Sequence, residues 1–320
     1  MSDQQTQWIR KLGLQVFNNS KARDLSEFRV RFDVENADTE SPNTAVIRVY
    51  NLAPETIKNI REEFGQVQLS AGYQQGNFGL IFQGSIKQFK VGRESATDTY
   101  LDIFAADGDI GYNNGVINTS LAAGQTPQQV AGKLGTVLGS AGTDFGSLTT
   151  RAQYVPSIRG QVLFGMARAR LRNLASHLDA SWSYDNGQIV MIDNTGYRDG
   201  EVVNLNIHTG LVGMPEQTDG GITCTSLINS RFRIGCQVHL NNQDVNQLIQ
   251  NSPTSTPYNR WAGVQQIAPI DADGLYRAFA VNHGGDSRGN EWYSHLVLLS
   301  ITPNPSNRLN SVAPTTTNGP

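Results

Sequence analysis

Apolar and polar positions alternate with period two over most of the first third of the chain. Phe28, Val30, Phe32 and Val34 fall on one side of an extended segment, and Arg29, Arg31 and Asp33 on the other. Ile47 and Val49 do the same against Arg48 and Tyr50. The pattern predicts strands over Leu12–Phe17, Phe28–Val34, Ala45–Asn51, Val67–Ala71, Leu80–Phe89 and Thr99–Ala105. Turn signals at Asn18-Asn19-Ser20, Ser41-Pro42-Asn43 and Gly76-Asn77 separate them. One helix is expected over Pro54–Phe64, with Pro54 in its first turn and Glu55 near the positive end of its dipole. Six strands and one helix fit a small antiparallel barrel or sandwich, placed at residues 1–113.

The period changes over residues 114–199. Thr126 and Pro127 read as the cap and first residue of a helix whose apolar face is Val130, Leu134, Val137 and Leu138. A second helix is expected from about Gln161 to Leu178, because Leu163, Ala167, Leu171, Leu174 and Leu178 recur at helical spacing. SWSYDNGQIVMID then reads as a hairpin turning at Asn186-Gly187, the preferred pair for a tight primed turn. Residues 200–302 return to strands, at Val202–Ile207, Gly221–Ser226, Gln237–Leu240, Arg277–Asn282 and Trp292–Ile301. A polar insertion, 241–275, interrupts them, and a Pro/Ser/Thr/Asn-rich tail, 303–320, follows; the tail is expected to be poorly ordered unless a partner holds it. The insertion carries Tyr258, Trp261, Val264 and Ile267 in otherwise polar surroundings, which makes it a candidate partner interface. Arg168 and Arg172 share a helix face, either as a solvated face or as a pairing surface for a neighbouring subunit.

Composition narrows the function classes. The chain has 320 residues, 38% hydrophobic and 17% charged, enough for two or three globular domains and too apolar for a disordered chain. A net charge of −3 argues against a protein that wraps nucleic acid. Cys224 and Cys236 lie outside any disulfide or zinc spacing and read as reduced, buried thiols. No segment has the apolar length of a secretion signal or a membrane helix, so a soluble protein made in the cytoplasm is expected. The five histidines stand at no metal-binding spacing, and His239 and His295 alternate with apolar neighbours as structural residues do. Asp271-Ala272-Asp273-Gly274 lacks the later ligands of a calcium loop, and Asp107-Gly108-Asp109 reads as a turn after a strand. Gly132-Lys133 lacks the spacing of a phosphate loop, and no Ser sits in a nucleophile elbow. The expectation is no catalytic residue, no metal site and no cofactor.

Several segments carry a resemblance, taken in order. Ala45–Thr56 (AVIRVYNLAPET), Val67–Tyr73 (VQLSAGY) and Ile81–Lys87 (IFQGSIK) are followed by TGLVGMPEQTDGGITCTSLINSRFRIGCQV. RAFAVNHGGDSRGNEWYS closes the series. This succession resembles the baseplate hub proteins of contractile-tailed bacteriophages, with the same layout in the base of type VI secretion spikes. The resemblance implies a mostly β protein in which two small antiparallel tube-type β-barrels flank a helix-helix-hairpin module. It implies a homotrimer whose barrels form a ring of six similar domains. The ring's partners would be the tail tube protein or a tube initiator above, a central spike below and surrounding wedge proteins. Genomic DNA would pass through the channel after sheath contraction, and the protein would reside in the virion tail baseplate. The chain has no lysozyme-like insertion. A β-rich cell-wall hydrolase and a carbohydrate-binding module are the alternatives, the latter hinted at by Tyr258 and Trp261.

Overall fold

The computed structural model describes residues 7–139, 144–149, 156–218, 221–241 and 274–301. The chain is mostly β, and its sheets are almost entirely antiparallel. The first strands are β1 (Arg10–Phe17), β2 (Ala22–Asp24), β3 (Val30–Ala37), β4 (Thr44–Tyr50), β5 (Gln66–Tyr73), β6 (Gly79–Arg93) and β7 (Thr99–Ala106), with α1 (Pro54–Glu63) between β4 and β5. They lie in the order β3-β4-β7-β6-β5-β1-β2. The alternation read from sequence is realised from Val30 on: Val30, Phe32, Val34, Ala45, Ile47, Val49, Leu101 and Ile103 are buried in one core, and α1 adds Ile60. Phe28, placed on the inward face by its spacing, is instead exposed ahead of β3, and Tyr50 is buried.

The insert comprises α2 (Asp109–Asn114), β8 (Val116–Leu121), α3 (Pro127–Gly139), β9 (Asp144–Thr149), β10 (Gln161–Met166), α4 (Ala167–His177), β11 (Ala180–Asp185) and β12 (Gln188–Asp193). A reciprocal box caps α3: the Gln129 amide donates to Thr126 Oγ1 at 3.3 Å and the Thr126 amide to Gln129 Oε1 at 2.8 Å. The β11–β12 hairpin turns at Asn186 and Gly187, both at positive φ (53° and 82°). One expectation is corrected. Residues 161–166 form no helical turn; they pair with β8 over six residues, in a strand that sequence reading did not predict. Leu163 fits either reading, being inward on a helix face and inward on a strand between exposed Val162 and Phe164. Gly165, at φ 107°, lies outside helical space, so the helix starts at Ala167.

The last strands are β13 (Val203–Leu205), β14 (Leu211–Thr218), β15 (Gly221–Leu227), β16 (Gln237–Leu240), β17 (Leu275–Asp286) and β18 (Trp292–Ser300). They do not form a separate sheet. β17 pairs with β18 along one edge, and its other edge is divided. Leu275–Arg277 pair with β16, then Ala280–Asp286 pair with β3 of the first half. The switch falls at a bulge, with Phe279 as the extra residue. The Phe279 carbonyl accepts the Asp38 amide at 2.8 Å. One 13-stranded sheet therefore runs through both halves, and no hydrogen-bonded ring closes either half among the described residues. Arg10 of β1 bridges the open side of the first half instead, donating to the carbonyls of Gly289 (2.5 Å) and Asn290 (3.0 Å) in the β17–β18 turn.

The two halves repeat one pattern. The order β3-β4-β7-β6-β5 in the first matches β14-β15-β18-β17-β16 in the second. The bulge in β6, with Lys87 extra, corresponds to the bulge at Phe279. Aligned on these bulges, Gln66↔Ser85 in the first half falls on Gln237↔Arg277 in the second. The match ends at the next strand, since β13 is parallel to β16 whereas β1 is antiparallel to β5.

Trp292 is 1% exposed and belongs to the first half's core although it sits on β18. Its ring meets Phe32 edge-on at 5.5 Å, and the Arg10 guanidinium lies over it. Trp292→Ala is expected to cost about 3–5 kcal/mol in denaturant unfolding. Hydrogen exchange should show lost protection at Val30–Val34 as well as in β18; a loss confined to β18 would contradict a shared core.

Candidate functional site

Tyr258, Trp261, Val264 and Ile267 lie outside the described residues, as do Asp271 and Asp273. Arg168 and Arg172, on α4, both find partners within the chain. The Arg168 guanidinium donates to the Tyr112 carbonyl at 3.0 Å and covers the Tyr112 ring at 4.5 Å. Arg172 Nε donates to Glu40 Oε2 at 2.6 Å, tying α4 to the β3–β4 turn. That contact marks one edge of a polar seam where the insert meets both strand halves.

The centre of the seam is a buried ion pair. Arg277 of β17 and Asp38 of the β3–β4 turn approach to 3.2 Å, with side chains 6% and 1% exposed. Ser181 Oγ of β11 donates to Asp38 Oδ2 at 2.7 Å, and Arg277 Nη1 donates to the Asp193 carbonyl of β12 at 2.8 Å. First half, insert and second half thus converge on one carboxylate and one guanidinium. Burial lowers the Arg277 pKa, and Asp38 opposes that shift. Sequence reading missed both residues. Arg277 sits between apolar neighbours in a strand, as many exposed arginines do.

A second contact sits beside the first. Asn43 Nδ2 donates to the Tyr184 carbonyl at 2.6 Å, and the Asn43 carbonyl accepts the Asp107 amide at 2.9 Å. Asp107 Oδ1 in turn accepts the Gly187 amide at 2.9 Å from the β11–β12 turn. Asp107 and Gly108 do turn the chain after β7, but Asp107 is 1% exposed. Gly108, at φ 75°, leaves no room for a Cβ against the Tyr184 ring. Burial pushes the Asp107 carboxyl up to about 7, and nearby Asp185 adds to the rise. Asp185 itself pairs with Arg198 and lies 3.8 Å from Arg233, which joins the insert to the chain leading into β16. Asp109, two residues on, has a different role: it pairs with Lys87 at 2.7 Å.

His283 of β17 is buried, shares a hydrogen bond of 2.8 Å with Ser294 Oγ, and burial depresses its pKa to about 4. His295 meets Thr225 Oγ1 across the β15–β18 ladder at 3.0 Å. Cys224 is buried and Cys236, expected to be buried as well, is half-buried; neither is in a disulfide, and burial raises their thiols to about 12 and about 11. Among the described residues no group of three or more His, Cys, Asp or Glu could hold a metal ion, and no helix is long and apolar enough to cross a membrane. A cavity of about 220 Å³ lies where Arg198, Arg231, Arg233 and Cys236 meet.

The chain's fold is that of tail proteins. It is similar to a tail protein from Neisseria meningitidis MC58, with TM-score 0.56 and 9% identity, over 91% of this chain and 96% of that one. It is similar to the 43 kDa tail protein of prophage MuSo2 from Shewanella oneidensis, with TM-score 0.54 and 8% identity, over 91% and 98%. It is also similar to an E. coli component of the type VI secretion system, with TM-score 0.51 and 14% identity, over 86% and 74%. That component is itself described as structurally similar to the T4 bacteriophage tail proteins gp27 and gp5. No protein-family model and no curated protein sequence matches the chain.

The seam makes two predictions. Asp38→Ala strands the buried Arg277 charge and is expected to cost about 3–5 kcal/mol, whereas Arg172→Ala, whose side chain is 56% exposed, should cost under about 1 kcal/mol. Equal costs in denaturant titrations would contradict the central role of the buried pair.

The other concerns pH. An unfolded Asp titrates near ~3.9, so between about pH 4 and about pH 7 the folded chain keeps a proton on Asp107 that the unfolded chain has lost. Its contribution to stability is therefore lost as pH rises through that window. His283 acts with the opposite sign. The unfolded imidazole takes up a proton below about pH 6.5 and the folded one only near 4, so stability falls as pH drops between them. Asp107→Asn, which keeps an acceptor for the Gly187 amide, should raise the melting temperature more at pH 8 than at pH 5. A gain independent of pH would contradict the buried neutral carboxyl.

Proposed function

We propose that this chain is the structural hub subunit of a contractile phage tail baseplate, and that three copies form a ring between a six-fold tail tube and a three-fold central spike. The observation that carries this reading is the internal repeat. One continuous sheet presents the same strand order twice, so three chains supply six similar units around an axis. A six-fold neighbour can then contact one face of the ring and a three-fold neighbour the other. The fold shared with tail proteins and with a type VI secretion component supports the same reading.

The chemistry supports a structural part rather than an enzyme. The most perturbed carboxylate, Asp107, is sealed between the halves and the insert, out of reach of a substrate. On the outer sheet face two arginines are neutralised: Arg29 pairs with Asp286 at 2.7 Å and Arg48 with Asp102 at 2.7 Å. A channel lined by such a face would let DNA pass without holding its phosphates. Its partners in this reading are its own copies, the tail tube protein or tube initiator, the central spike and the surrounding wedge proteins. Its place is the virion tail baseplate.

Light scattering of the purified chain should give about three times the 34.9 kDa chain mass, rising to that value with concentration. A chain that stays monomeric at every concentration and is also monomeric inside assembled tails would overturn the hub reading.

A further inference from the structure

Among the open edges of the sheet, two are equivalent to the two edges that meet inside the chain. β17 of the second half corresponds to β6 of the first, bulge for bulge. Beyond its bulge, β17 has β18 on one side and β3 on the other. Beyond its own bulge, β6 has β7 on one side and, among the described residues, no strand on the other, because β5 pairs only with Gly79–Ser85. The strand equivalent to β3 is β14, which lies at the end of the sheet with only β15 beside it among the described residues.

We propose that these two edges pair between neighbouring copies of this chain: β6 over Gln88–Arg93 of one subunit with β14 over Glu216–Thr218 of the next. The proposal rests on the ring reading above and names its interface. The register follows from the inner ladder. His283↔Val34 and Gly284↔Asp33 within the chain become Val91↔Gln217 and Gly92↔Glu216 between chains, and Asn282↔Glu35 becomes Lys90↔Thr218. The ladder is antiparallel, like its template. It is shorter than the inner one because residues 213–215 bulge out of β14 and Pro215 has no amide hydrogen to donate.

Three observations favour this occupant. Val91 is 50% exposed, while its equivalent His283, covered by β3, is 1% exposed. A strand laid along β6 would cover Val91 in the same way. Val212 and Met214 on β14, 38% and 61% exposed, lie beside the same edge. The charges are also complementary. Lys90 of β6 would stand diagonal to Glu216 of β14 on one sheet face, and among the described residues neither has an ion-pair partner in its own chain. The contact joins two different surfaces, so it is heterologous and closes only as a ring; with two repeats per chain, three chains complete it.

Cysteine cross-linking tests the register on the full-length chain. Under mild oxidation, the K90C/T218C variant should run as covalently linked dimers and trimers on a non-reducing gel. The single variants should not, and neither should K90C/Q217C, whose side chains would point to opposite faces. Charge exchange gives a second reading without oxidation. E216K should raise the concentration of half-assembly several-fold, and K90E in the same chain should restore it. Trimers that form normally yet fail to cross-link and ignore both charge variants would overturn this interface and leave the ring reading standing. A chain monomeric throughout would overturn both.

Discussion

One strand imposes the architecture. β17 must satisfy backbone donors and acceptors along two edges, and on one edge it is offered two different neighbours in succession. The change of neighbour coincides with an extra residue in the β18 ladder, which bends the strand there. Phe279 is that residue, and its carbonyl is satisfied by the amide of Asp38 across the junction. Everything beyond depends on that handover. The two halves become one sheet, Trp292 reaches the first core, and open edges are left along β14 and along β6 beyond its bulge.

The insert is joined to this sheet by different means. Its own core is apolar and self-contained, built on Leu134, Leu138, Leu171, Trp182 and Tyr184. Its contacts with the strand halves include buried polar ones: Ser181 with Asp38, the Asp193 carbonyl with Arg277, the Tyr184 carbonyl with Asn43 and Gly187 with Asp107. Buried polar contacts are directional and tolerate no slip, whereas an apolar seam of the same size could slide. In the proposed hub role, a joint that fixes orientation is the appropriate kind.

Most of the strands were legible because one face of the sheet is buried and the other is wet, which writes period two directly into residues such as Val30–Val34 and Ala45–Val49. The cap of α3 and the Asn186-Gly187 turn were legible because each depends on local chemistry alone. Reading failed where an apolar residue satisfied two periods at once, as Leu163 does, and where a polar strand such as β8 is defined by its partner rather than by its own pattern. The seam was not legible at all. Arg277 and Asp38 stand 239 positions apart and become meaningful only when β17 is laid beside β3. The sharing of β17 between two halves was likewise hidden, since an edge divided between partners leaves no trace in one strand's alternation.

In the proposed ring, two repeated halves made continuous through β17 supply two of six equivalent units. Cryo-electron microscopy of the purified oligomer at a resolution that separates strands tests it most directly. The expected result is a three-fold ring with six similar lobes, in which one continuous sheet passes from β17 to β3 within each chain and from β6 to β14 between chains. Lobes that close as separate barrels, with no strand shared between the halves of one chain, would contradict it, as would an open head-to-tail filament.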